Sequence, residues 1–157
     1  MKDYIFKTIR FEVAIFCAAV LFTAVAPFQV KAQTSTKKEP SLYDRLGKNA
    51  GITKVVDDFV GNVGADTRIN HFFAHTDLNH LKMELVNQIC EAAGGPCKYT
   101  GKTMKDAHRA MGVSTADFNA LVEDLVKALD KNKVGANEKN TLLGVLGPMK
   151  ADIVEKP

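Results

Sequence analysis

Apolar residues recur at intervals of three and four along four stretches of this chain. Ile52, Val55, Val56, Phe59, Val60 and Val63 form the first stripe, and Leu78, Leu81, Leu85 and Ile89 the second. Phe118, Leu121, Val122, Leu125, Val126 and Leu129 form the third. Leu142, Leu143, Leu146, Met149 and Ile153 form the fourth. That period gathers side chains on one face of an α-helix. No stretch alternates with period two and no hairpin signal separates apolar runs, so the spacing predicts an all-α fold.

The breaks between stripes are equally specific. Gly94-Gly95-Pro96 must end a helix, because Gly accepts left-handed dihedrals and Pro cannot continue the hydrogen-bond ladder. Thr103 with Asp106 and Ser114 with Asp117 have the hydroxyl-to-acid spacing of N-terminal caps. They bracket a short helix near Met104 to Ala110. Pro148 lies inside the fourth stripe and should kink it.

Composition narrows the class. The chain has 157 residues, 46% of them apolar and 25% charged, which suits one globular domain. Its net charge of +3 is too small to mark a nucleic-acid binder. Residues 1–32 have the pattern of a secretory signal peptide: basic Lys2, Lys7 and Arg10, an apolar run from Val13 to Phe28, then Val30-Lys31-Ala32 before Gln33. The run is shorter than the roughly 20 residues of a membrane span, so cleavage is expected, leaving no stable anchor, with an uncleaved anchor as the competing reading. The remainder would carry seventeen basic and sixteen acidic residues. Residues 33–40 read as a polar linker and 41–157 as the folded domain. The expected destination is outside the cytoplasm, the periplasm if the cell is Gram-negative.

The candidate chemistry lies in four histidines, His71, His75, His80 and His108. No H-x-x-x-H or H-E-x-x-H pair shares a helical face, which excludes the zinc-protease arrangement. No C-x-x-C-H occurs, which excludes c-type haem attachment. His108 stands out because Met104 and Met111 flank it at about one turn on either side. Spacing alone leaves two readings open: a metal or haem ligand, or a histidine satisfied within the core.

Several motifs, in order, carry a resemblance. They are Leu42-Tyr43-Asp44-Arg45-Leu46-Gly47, Val56-Asp57-Asp58-Phe59, Phe72-Phe73, Thr76-Asp77-Leu78, Gly94-Gly95-Pro96, Tyr99-Thr100-Gly101, Met104-Lys105-Asp106-Ala107-His108 and Ala151-Asp152-Ile153-Val154. From Ser41 to Val154 the chain resembles the group I truncated haemoglobins. The resemblance implies a two-over-two helical sandwich with a short proximal helix. It implies non-covalent haem b with His108 as the iron ligand. Phe73 and Phe72 would pack on the porphyrin. Met104, Val113, Phe118, Leu121 and Leu125 would line its proximal side and floor. Thr76 and Tyr99 would reach the haem edge, and Lys82 a propionate.

The distal side departs from the family. Many relatives place Tyr where this chain has Val60, and Gln where it has Leu85. Leu81 and Leu85 share a helical face. The expected wall is therefore Val60, Leu81 and Leu85, with no hydrogen-bond donor. Gln88, three residues beyond Leu85, is read as lying off that stripe. His80 is rotated ~100° from Leu81, so a sixth-ligand role for it needs a helix shift. O₂ gains most from a distal donor, so the wall suits NO, CO or a fast-exchanging ligand. Carriage or sensing of a gas fits. NO dioxygenation or peroxide reduction would need an external reductase, since the chain carries no flavin or nicotinamide motif.

Export favours a Cys90–Cys97 disulfide across the Gly94-Gly95-Pro96 reversal, with two free thiols as the alternative. A different class of function is a secreted helical bundle without haem, acting as an interaction or stress module.

Overall fold

The computed structural model describes residues 39–156. The expected signal peptide and most of the linker lie outside the described residues. Seven helices follow in order: α1 (Leu42–Arg45), α2 (Lys48–Ala65), α3 (Leu78–Ala92), α4 (Met104–His108), α5 (Thr115–Lys131), α6 (Ala136–Leu146) and α7 (Lys150–Ile153). Two 3₁₀ turns, Asn70–Phe73 and Gly147–Met149, fill breaks between them. Among the described residues there is no strand, only an isolated bridge between Ser114 and Lys156.

The helices start and stop where local chemistry requires. Ser114 Oγ accepts the Asp117 N–H, while the Asp117 carboxylate accepts the Ser114 N–H at 2.9 Å, which closes a capping box on α5. Thr103 caps α4 through the Asp106 N–H at 3.1 Å. Asp77 caps α3 by accepting from the Asn79 and His80 amides. Past α3, Gly94 takes a φ of +80° and the Gly95 N–H returns to the Cys90 carbonyl at 2.8 Å. Pro148 breaks the fourth stripe: α6 ends at Leu146, and α7 resumes after the 3₁₀ turn.

Helix α2 is central and packs on both α3 and α5. Its whole predicted stripe is buried, from Ile52 to Val63. Helix α6 meets α1 and α3, and α4 rests on α7. The third stripe behaves differently. On α5 the buried face is Ala120, Asp124, Leu125, Ala128 and Leu129, while Phe118, Leu121 and Val122 are half-buried. Ala120 and Ala128 share the core with Leu125 and Leu129, Leu121 packs against it, and Phe118 and Val122 stay outside that cluster. On α3 only Ile89 and Cys90 are buried, and Leu81, Leu85 and Val86 are half-buried. Leu78, expected on the core face, is 47% exposed. It is the first residue of α3, ahead of the stretch that packs on α2.

Asp124 was not an expected core residue, yet it is 1% exposed. Its Oδ1 takes Lys127 Nζ at 2.9 Å, and its backbone carbonyl accepts the Asn62 amide at 3.1 Å. That amide links α2 to α5. Burial of this carboxylate rests on a charged partner at the rim.

Candidate functional site

Of the four histidines, His71, His75 and His80 are exposed and His108 is half-buried. His108 closes α4, a helix of only five residues. Its Nδ1 lies 2.7 Å from the Met104 carbonyl oxygen. A carbonyl only accepts, so Nδ1 carries a proton, and in the neutral ring the lone pair is then on Nε2. A neutral imidazole held by a backbone carbonyl is the donor that an iron or zinc centre requires. Among the described residues, no cluster of three His, Cys, Asp or Glu side chains could hold a metal ion by itself.

Several of the large apolar side chains expected at the site are only half-covered. Phe72 and Phe73 come from the 3₁₀ turn before α3, Leu81 and Leu85 from α3, Met104 from α4, and Phe118 and Leu121 from α5. Such residues are normally withdrawn from water. Phe72, Phe73, Leu85 and Leu121 pack against the core on one side and remain part-exposed, so an apolar ligand would complete their burial. One neutral imidazole and an apolar surround fit haem b. Cys90 and Cys97 are joined to each other, with an S–S distance of 2.02 Å, and neither is a free thiolate ligand.

The remaining expected contacts divide. Val113 and Leu125 are buried, and Val60 sits in the core cluster on α2. The Phe118 ring lies 5.6 Å from Lys150 Nζ, a cation–π contact that joins α5 to α7. The Tyr99 hydroxyl donates to the Lys102 carbonyl at 2.7 Å, and its N–H donates to Glu91 at 2.9 Å. Burial, with the nearby Glu84 charge, raises the Tyr99 phenol above its ordinary pKa. Thr76 is exposed, and its N–H is tied to the Phe73 carbonyl.

Lys82, expected at a propionate, has a carboxylate partner within the protein. Its ammonium is 2.8 Å from Asp57 of α2, in a groove lined also by Thr53, Val56, Met83 and Val86. One position past Leu81 on α3, it points to α2, not along the Leu81–Leu85 face.

Gln88 also needs correction. It is half-buried, and its amide nitrogen lies 3.3 Å from Met104 Sδ and 3.4 Å from Met149 Sδ. Positions 81, 85 and 88 follow the i, i+4, i+7 helical rule, so Gln88 extends the Leu81–Leu85 stripe and does not lie off it. Its amide turns toward α4 and the 147–149 turn, at the proximal end of the set.

The bacterial-like globin family model matches residues 41–155. A group 1 truncated hemoglobin of Mycolicibacterium paratuberculosis is 35% identical over 118 residues, covering 74% of this chain and 87% of that protein. One from Tetrahymena pyriformis is 30% identical over 119 residues, 76% of this chain and 98% of its own. The crystal structure of the Tetrahymena pyriformis truncated hemoglobin in its Fe(III) form matches with a TM-score of 0.71 at 30% identity, over 74% of this chain and 100% of that one. A 2/2 hemoglobin from Synechococcus, crystallised in the cyanomet state with covalently attached heme, matches with a TM-score of 0.70 at 29% identity, again over 74% and 100%. The all-α arrangement described above is thus that of the two-over-two truncated hemoglobins.

Proposed function

The chain belongs to the bacterial-like globin family, and from that premise we propose that it is an exported haem protein that binds diatomic gases opposite His108, against an apolar distal wall. The cofactor is haem b, held without covalent attachment. When bound, it supplies the iron at which O₂, CO and NO bind reversibly.

The observation that carries this reading is the His108–Met104 contact, in a fold that leaves several large apolar side chains half-covered. The backbone carbonyl fixes the imidazole tautomer and leaves Nε2 for the iron. Phe72, Phe73, Leu85, Phe118 and Leu121 would hold the haem and keep water from it. Val60, Leu81 and Leu85 would form the wall that a gas meets, and none of them donates a hydrogen bond. The Gln88 amide on the same helix is directed to Met104 and Met149. This composition favours handling of NO or CO, or rapid exchange of O₂, over a dioxygenase that must retain O₂. His80 is exposed, which supports a five-coordinate ferrous state.

Absorption spectra of the purified protein with added haem test the proposal. A Soret band that shifts between ferric, ferrous and CO-bound states supports it. A protein that stays colourless is the secreted bundle without haem. Export rests on the pattern of residues 1–32. N-terminal sequencing of protein recovered from the cell envelope should begin at Gln33, and an intact Met1 in the cytoplasm would contradict it.

A further inference from the structure

Directly after His108 the backbone makes two left-handed steps, Ala110 at φ +62° and Gly112 at φ +69°. The amides of these two residues converge on one carboxylate. The Ala110 N–H donates to Glu155 Oε1 at 2.7 Å, and the Gly112 N–H donates to Glu155 Oε2 at 2.5 Å. Amides turned to one side by left-handed steps form an anion-binding hollow. Here the anion is the chain's own C-terminal tail.

The tail is held in register by the backbone. The Val113 carbonyl accepts from both the Glu155 and Lys156 amides, at 2.9 and 3.1 Å, and the Thr115 N–H donates to the Lys156 carbonyl at 3.0 Å. Helix α7, which leads into the tail, packs on α4. A left-handed alanine is disfavoured and persists only where its surroundings over-determine it. Glu155 supplies that restraint. A five-residue helix has no stability of its own, so the direction of α4 depends on what fastens its ends. Thr103 fastens the start, and Glu155 fastens the segment beyond the finish.

We infer that Glu155 is a positioning residue for His108: it orients the imidazole by clamping the two amides that follow it. This rests on the reading of His108 as the haem ligand, and the test separates the two. Glu155→Ala and Glu155→Gln are made in the full chain and loaded with haem. Three quantities are read: the ferrous iron–histidine stretching band, the rate of haem transfer to an excess of a scavenging globin, and the melting temperature without haem. For Glu155→Ala we expect a shifted or broadened band and transfer faster by on the order of tenfold. Glu155→Gln should lie between Glu155→Ala and the unsubstituted protein, because its amide oxygen still accepts one N–H. If Glu155→Ala does not fold, Glu155→Gln alone decides the matter. Band and transfer rate unchanged in the folded variants, even with a lowered melting temperature, would overturn the inference and leave haem binding standing. If the unsubstituted protein takes up no haem, the reading beneath it fails instead.

Discussion

The Nδ1 atom of His108 lies 2.7 Å from the carbonyl oxygen of Met104, four residues earlier on the same short helix. The contact ties ring orientation to the first turn of α4, so the proton position and the direction of Nε2 are set before any iron arrives. Met104 therefore acts through its backbone, whatever its side chain touches.

An apolar wall predicts how the protein answers a new donor. Leu85→Gln places an amide on the face that meets the gas. A hydrogen bond in so dry a site contributes about 1–3 kcal/mol. O₂ release should slow by roughly ten- to a hundredfold, with little change for CO. Stopped-flow displacement of O₂ by CO measures it, and equal slowing of both gases would place the effect elsewhere.

The Cys90–Cys97 bond closes a loop of seven-residue separation between the end of α3 and the segment leading to α4. Loop entropy for so short a ring is about 2.5 kcal/mol. Cys90→Ser/Cys97→Ser should unfold at correspondingly lower urea. Reductant should weaken the parent protein by the same amount and leave the double variant unaffected.

Acid sensitivity follows from depressed carboxylates. Hydrogen bonds from Arg68 hold the Asp66 carboxyl down at about 2, against an ordinary 3.8. Asp58 is lowered by Lys131 and then Asn132, Asp117 by Ser114, and Glu91 by the Tyr99 amide and then Lys98. A group whose folded pKa is depressed adds stability above its unfolded pKa and loses it as pH falls through the folded value. The melting temperature should therefore hold above about pH 5 and fall between about 4 and 2. Asp66→Asn should make that fall shallower. All four carboxylates are half-buried at the surface beside charged or polar partners, so added salt should reduce the effect in part.

Much of this architecture was legible in spacing. The α2 stripe, the Ser114 and Thr103 caps, the Gly94 stop and the Pro148 break are local, and each follows from one residue's backbone chemistry. Relations between distant residues were not. Asp124 shares the buried face of α5 with Ala120 and Ala128 as well as with Leu125 and Leu129 of the apolar stripe, and a stripe read from apolar residues alone leaves it out. Lys82 answers Asp57 of another helix. Glu155 reaches Ala110 and Gly112 across more than forty residues. For Gln88 the signal was present, in its i+7 distance from Leu81. The half-buried state of Phe118 and Leu121 could not be foreseen from periodicity, which marks apolar faces but not what covers them.

The central claim is a bond from Nε2 of His108 to haem iron, and replacement of that side chain by a free ligand tests it most directly. In His108→Gly the ferrous iron–histidine stretching band should vanish, and added imidazole should restore a band and the five-coordinate ferrous spectrum. A His108→Gly protein that keeps the unsubstituted band without imidazole would contradict the account.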